Sequence, residues 1–333
     1  MEERKSDHII LALGSRLKPE EADKRFDYEP LSKGIMEAKP EEVLFFGKKL
    51  RVPMWASSMT GGTSLGRTIN TNLARACNDF GMGMGLGSCR ILLDKPEYLS
   101  DFDVRDIIGP DLPLFANIGI AQVELMIADK SWSRLEELVN KLRADGLIIH
   151  INPIQEWLQP EGDEIHRPPI ETIEEFLTLT KIKVVLKEVG QGMGPESIRA
   201  ALKLNIEGFE LAAFGGTNFA KLELSRSNPQ LQELYAPLSH IGHNAEEMLG
   251  IIGQAIDSGQ EINCSHIIIS GGITSFLDGY YLINKSKLPA VFGQASGFLN
   301  YARGDYQDLR SYVEHQVKGL EFARAYLRVK NNE

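Results

Sequence analysis

Between Gly146 and Glu156 the chain reads Gly-Leu-Ile-Ile-His-Ile-Asn-Pro-Ile-Gln-Glu. An imidazole, two amides and a carboxylate (His150, Asn152, Gln155 and Glu156) follow an aliphatic run at once. Such groups can bind or orient a polar or charged ligand. The run from Leu147 to Ile149 has the character of a buried strand, and Pro153, with no N–H to give, ends the ladder. Polar side chains gathered where a strand stops and a loop begins are where parallel α/β folds keep their chemistry. Satisfied polar residues at an ordinary strand end would look the same in isolation, so the elements that position them decide the matter.

Seven further windows read as strands: 52–57, 82–87, 113–118, 182–187, 207–212, 266–270 and 289–293. Helical patterns separate them. Leu135, Leu138, Val139 and Leu142 recur at helical spacing, and Ser133 with Glu136 has the form of a capping box, which Thr172 with Glu175 repeats. Leu309, Val313, Val317 and Leu320 make one stripe near the C-terminus. Strands alternating with helices imply parallel pairing through right-handed crossovers, and eight such repeats predict a (β/α)8 TIM barrel. An open doubly wound sheet is the competing architecture. No G-x-G-x-x-G stretch with an acidic residue about twenty positions further on supports it. No Pro/Ser-rich linker divides the chain, so residues 1–333 are expected to form one barrel domain, with an N-terminal segment, roughly 1–45, packed over it. Residues 218–242 exceed the usual βα connection of about 2–6 residues and are expected to be a lid or an interface element.

In a barrel these strand ends meet on one face. The chain places there Ser57 to Gly62, Gly87 to Arg90, Asn117, the His150–Glu156 set, Lys187-Glu188, Gly215-Gly216-Thr217, Ser270-Gly271-Gly272 and Gly293-Gln294-Ala295. Paired glycines are either tight turns or places where backbone N–H groups close on a phosphate, and many barrels keep a phosphate site at strands seven and eight. Lys187, at a buried strand end, calls for a carboxylate, a flavin ring or an anionic substrate.

Composition narrows the partners. The chain has 333 residues, 43% hydrophobic and 25% charged, enough for a large core. A net charge of -10 argues against a nucleic-acid partner, so an anionic ligand needs a local basic cluster. Cys77, Cys89 and Cys264 are widely spaced and form no C-x-x-C pair, which argues against zinc and a disulfide framework and fits a reducing compartment. The charged first eight residues do not read as a signal peptide. No apolar run reaches the roughly 18 residues that cross a bilayer. A cytoplasmic protein with no membrane partner is expected.

Together the pieces resemble the type 2, flavin-dependent isopentenyl diphosphate isomerases. The matching pieces are Arg4-Lys5-x-x-His8, Met59-Thr60-Gly-Gly62, Gly87-Ser88-x-Arg90, Asn117, His150-x-Asn152-x-x-Gln155-Glu156, Lys187-Glu188-x-Gly190, Gly215-Gly216-Thr217 and Gly271-Gly272, in the family's order over nearly the whole chain. The piece from His150 to Glu156 is the most specific; the glycine pieces recur across FMN barrels. The resemblance implies a barrel that binds FMN and Mg²⁺ and interconverts isopentenyl and dimethylallyl diphosphate in isoprenoid biosynthesis. It needs reduced flavin although the net reaction is redox-neutral. By position, Gln155 is the catalytic residue near the reacting alkene carbons and Glu156 holds the Mg²⁺. Arg90, His150 and Asn152 hold the diphosphate or orient its neighbours, and Arg4 and Lys5 reach it from the N-terminal segment. Met59, Thr60, Ser88, Asn117, Lys187 and Thr217 line the FMN, while Gly271, Gly272 and Ala295 cradle its phosphate. The family further implies NADPH as reductant and a homo-oligomer, a tetramer or octamer.

Three positions depart from the family pattern. Cys89 stands where Gln is usual, Thr274 where Arg follows Gly-Gly-Ile, and Glu210-Leu-Ala-Ala-Phe214 replaces the usual acidic and small-residue run. The missing Arg removes a phosphate contact at the flavin site, whereas the substrate motif is intact. Two other functions compete. A 2-hydroxy-acid oxidase would need a basic His beside the flavin and a His-Gly-Gly-x-Arg piece near the seventh strand, where Ser270-Gly-Gly-Ile-Thr274 stands. A non-catalytic flavin-binding paralogue would have no need of Gln155 and Glu156.

Overall fold

The structure, a computed structural model, describes residues 2–32, 42–58 and 60–330. Eight runs of buried aliphatic and small residues form the barrel strands, numbered β1 (Met54–Ala56), β2 (Gly83–Gly85), β3 (Leu114–Gly119), β4 (Gly146–His150), β5 (Val184–Lys187), β6 (Gly208–Glu210), β7 (Ile267–Ser270) and β8 (Ala290–Gln294). Each pairs in parallel with the next, and β8 returns to β1, where Phe292 registers with Met54. Every strand lies within one residue of its expected window, and the expected (β/α)8 barrel is the observed architecture. Both faces of these strands are covered, so continuous apolar runs suit them better than alternation does. Ile148, Ile149, Val185, Ile268 and Ile269 are fully buried.

The helices carry their apolar stripes inward. In Ser133–Lys141, Leu135, Leu138 and Val139 are buried, and in Tyr306–Tyr326 so are Leu309, Val313 and Leu320. The two expected capping boxes do not form. The first helix already has Trp132 as its cap, so Ser133 lies inside it, and Glu136 instead accepts from Thr180 Oγ1 at 2.8 Å. In Pro169–Leu179, Thr172 is buried a turn inside the helix and Glu175 pairs with Arg167 at 2.6 Å. Capping boxes occur at Asn244 with Glu247 and at Ser275 with Asp278.

The N-terminal region makes three kinds of contact. Residues Phe26–Tyr28 pair antiparallel with Leu327–Val329, and Arg25 bridges to Asp278 at 2.8 Å. A hairpin of Val43–Phe45 and Lys48–Leu50 turns through Phe46 and Gly47, both with positive φ, as a two-residue hairpin requires. Its buried Phe45 and Phe46 pack on Trp55, with ring centroids 6.3 and 5.6 Å away. Phe46 also meets Phe115 at 4.8 Å and His266 at 5.1 Å. These partners belong to the beginnings of strands, so the hairpin closes the barrel end opposite the strand C-termini. By contrast, residues 4–11 of the helix Glu2–Leu11 are all exposed.

No helix among the described residues is long and apolar enough to cross a membrane. Cys77, Cys89 and Cys264 are free and buried.

Candidate functional site

The C-terminal strand ends divide into two halves. Gly119, His150, Lys187 and Glu210 are successive register partners across β3 to β6. Paired residues of neighbouring strands project to the same side, so an imidazole, an ammonium and a carboxylate stand in one row.

On one side of this row a cavity is lined by Ser57, Lys187, Glu210, Thr217, Gly271, Gly272 and Ala295, among others. The turns after β6 and β7 touch there backbone to backbone. Gly271 has φ +89, and a Cβ on it would overlap the Ala213 carbonyl; only glycine fits. Lys187 is buried, and its Nζ donates to the Glu188 carbonyl at 2.8 Å. The carboxylate of Glu188 accepts from the backbone N–H groups of Gly190 and Gln191 at 2.6 Å and of Gly192 at 3.0 Å, pinning the turn after β5. Burial nonetheless pushes the Glu188 carboxyl up from its ordinary value. Ser57 Oγ, Ser58 Oγ and Glu210 Oε2 are buried with no hydrogen-bond partner among the described residues. Orphaned polar atoms beside a glycine-walled cavity are what a bound polar group would satisfy. Five of the residues expected at the flavin therefore come together: Lys187, Thr217, Gly271, Gly272 and Ala295. Thr60 is half-buried over the end of β2, against Gly87, while Ser88 is exposed and shares a shallow hollow with Arg90. Met59 lies outside the described residues.

On the other side, side chains hold one another. Asn117 Nδ2 donates to the Leu86 carbonyl at 3.1 Å, leaving its Oδ1 to accept from His150 Nδ1 at 2.8 Å. That assigns the proton to Nδ1 and leaves the Nε2 lone pair open. Burial, and then the charge of Lys187, push the imidazole down to about 3, so it is neutral near pH 7. Pro153 starts a short helix, Pro153–Leu158, that puts Gln155 and Glu156 one turn from Asn152. Asn152 Nδ2 donates to Gln155 Oε1 at 3.0 Å and to Glu156 Oε1 at 2.9 Å, while its own Oδ1 is buried without a partner. Gln155 Nε2 donates to Glu223 Oε1 at 3.2 Å. The Gln155 amide is thus fixed at both ends.

Arg90, in the loop that follows β2, pairs with Asp163. Arg4 and Lys5 are not brought to the site: their helix is exposed, and no hydrogen bond or ion pair among the described residues joins them to it. Sequence reasoning overlooked Gln122, Asp163 and Glu223. Glu223 sits in the long 218–242 segment, which folds as Phe219–Arg226, Pro229–Tyr235 and a 3-10 turn flanking the site. Only the length of that segment hinted at a role.

No family profile matches the chain. Curated relatives do. The isopentenyl-diphosphate delta-isomerase of Rickettsia felis is 33% identical over 324 residues, covering 96% of this chain and 90% of that protein. That of Rickettsia akari is 34% identical over 304 residues, covering 90% and 85%. Among solved structures, a flavocytochrome b2 mutant with benzoylformate is similar at TM-score 0.62 and 15% identity, covering 90% of this chain and 71% of that one. A mandelate oxidase mutant with an FMN adduct gives 0.57 and 16%, covering 93% and 89%. At such identities the structural likeness speaks for the barrel alone. The sequence relatives, matched along nine-tenths of the chain, carry more: the chain belongs to the isopentenyl-diphosphate delta-isomerase family.

Proposed function

We propose that this protein interconverts isopentenyl and dimethylallyl diphosphate with reduced FMN and Mg²⁺. The observation that carries the reading is the doubly tethered cluster of Asn152, Gln155 and Glu156, which directly follows His150, the register partner of the cavity-lining Lys187. The cavity fits FMN: Gly271, Gly272 and Ala295 would hold its phosphate, Thr217 would lie beside it, and Lys187 would stand at the ring. When bound, the reduced flavin supplies the proton chemistry at the alkene carbons, with the protein providing orientation and electrostatics.

Every remaining role belongs to the chain. An amide has no useful pKa, so Gln155 orients the alkene rather than removing its proton. Glu156, with the orphaned Asn152 Oδ1 nearby, offers the oxygen donors that Mg²⁺ prefers. Arg90 offers guanidinium donors suited to phosphate oxygens. His150 Nε2 accepts rather than donates, so a diphosphate oxygen meets it only with a proton between them. Arg4 and Lys5 would reach the diphosphate only if their exposed helix moved to the mouth.

The seventh strand end also weighs against the oxidase alternative. Ser270-Gly271-Gly272-Ile273-Thr274 supplies neither the basic His nor the Arg that such an oxidase would need there. The reading extends to a single barrel domain, isoprenoid biosynthesis, a cytoplasmic location, NADPH as the flavin's reductant, and a tetramer or octamer; the three free cysteines suit a reducing compartment. The test is an anaerobic assay with FMN, reductant and Mg²⁺. Isopentenyl diphosphate is expected to convert without net use of reductant, and oxidised flavin to be inactive. Turnover of a 2-hydroxy acid with peroxide release, and none of the diphosphate, would refute the proposal.

A further inference from the structure

The loop after the Pro153–Leu158 helix is built into the substrate half, and nothing in the family motif assigns it a task. Asp163 lies on it. Its carboxylate takes both terminal nitrogens of Arg90, with Nη2 to Oδ1 at 3.2 Å, and accepts from Gln122 Nε2 at 2.5 Å. Its backbone N–H donates to Glu156 Oε2 at 2.8 Å. One residue therefore touches the arginine expected to hold the diphosphate and the carboxylate expected to hold the metal.

We propose that Asp163 is a positioning residue that sets Arg90 and Glu156 in register with each other for a metal-bound diphosphate; this rests on the isomerase reading. An alternative use of the same contact is a latch, in which Asp163 occupies Arg90 until substrate displaces it. The loop's anchoring favours a permanent fixture. Gly162 approaches the preceding helix so closely that a Cβ would overlap the Glu156 carbonyl oxygen. Glu161 is held by Arg226 at 2.5 Å, and Arg226 also pairs with Glu223 at 2.6 Å, the carboxylate that orients Gln155. Gln122, itself buried, comes from the first turn of Ile120–Ala128, a different element. A bidentate pair uses two of five guanidinium N–H donors and leaves three for phosphate oxygens. It also removes rotamer freedom that a half-exposed arginine would otherwise lose on binding.

The experiment compares Asp163→Ala, Asp163→Asn and Gly162→Ala with the parent protein, all FMN-loaded, in steady-state isomerisation across a range of Mg²⁺. Asp163→Ala is expected to raise KM for isopentenyl diphosphate about tenfold while kcat changes less than about threefold. Asp163→Asn keeps an oxygen for Arg90 and is expected to recover most of that loss. Gly162→Ala displaces the Asp163 N–H from Glu156 and is expected to raise the half-saturating Mg²⁺ about tenfold. Flavin affinity stays at the parent value in all three, which separates positioning from unfolding. A lower KM in Asp163→Ala means the carboxylate competes with substrate and overturns the proposal; an unchanged KM does the same. If the parent itself does not turn over isopentenyl diphosphate, the isomerase reading fails. Calorimetry with inorganic pyrophosphate and Mg²⁺ then decides the inference alone, with equal affinity of parent and Asp163→Ala counting against it.

Discussion

The two halves of the barrel mouth are built on opposite principles. Around Gly215, Gly216, Gly271 and Gly272 the surfaces are backbone, and the shape depends on residues having no side chain. In the other half the shape rests on hydrogen-bonded side chains in two sets: Asn117 with His150, and Asn152, Gln155 and Glu156, the latter running on to Glu223 and, through the Asp163 N–H and carboxylate, to Arg90. A backbone cradle tolerates loss of a neighbouring charge, such as an arginine replaced by Thr274, because its donors are amides. A side-chain network tolerates small shifts of backbone but not loss of a member, since each member satisfies the next. The first half should therefore fail by shape and the second by charge and orientation.

The largest effect is expected at the cradle. Gly271→Ala forces apart the turns after β6 and β7, and a displacement near 1 Å there should weaken FMN binding about a hundredfold, read by flavin fluorescence titration. Gly272→Ala is the contrast: its φ of +74 makes any side chain strained, but its nearest neighbour would be 3.5 Å away, so it bears backbone strain without the clash and should lose less; an equal loss there would break the shape argument. In the network, Glu156→Gln keeps an oxygen to accept from Asp163 but removes the charge. The Mg²⁺ needed for half-maximal isomerisation should rise about tenfold or more while flavin binding persists. An unaltered metal titration would end the assignment of Glu156. Gln155→Ala should lower kcat at saturating metal, and Glu223→Gln, which reaches the site only through the Gln155 amide and otherwise pairs with Arg226, should lower it less, by about tenfold. If Glu223→Gln cost more than Gln155→Ala, Glu223 would have to act on substrate directly. Arg4→Ala should raise KM several-fold and leave thermal stability untouched, because its helix is exposed in the structure.

The effect smallest at neutral pH concerns protons. His150 is neutral when folded, its pKa lowered by burial and then by Lys187 to about 3, against an ordinary value near 6.5. Between those values the unfolded chain binds a proton that the folded chain does not, so stability is lost as pH falls through that window. His150→Gln should flatten the acid side of a Tm-against-pH curve; an unchanged slope would show that His150 is charged in the folded protein.

The eight strands were legible because buried parallel strands leave continuous aliphatic runs, and Ile148-Ile149 or Ile267 to Ile269 admit few other readings. The capping boxes at Ser133 and Thr172 were not, because a four-residue pattern fixes no helix start when Trp132 or Pro168 begins the helix earlier. In the site, residues within one motif were legible and their partners were not. Asn152, Gln155 and Glu156 share one stretch, whereas Arg90 meets Asp163 across 73 positions and Gln155 meets Glu223 across 68. Spacing along a chain carries no record of such contacts. Thr217 and Lys187, expected at this face from the glycine pairs and the strand end, do line the cavity; Ser57, Ser58 and Glu210 could be placed at strand ends from sequence, but that their oxygens are orphaned appears only in three dimensions.

The aromatic hairpin under the barrel has a bearing on traffic. With Phe45 and Phe46 wedged against Trp55, Phe115 and His266, the far end is sealed. A molecule that has reacted must leave by the doorway through which its successor arrives. Entry and exit then share one queue, and crowding at that doorway slows both directions together.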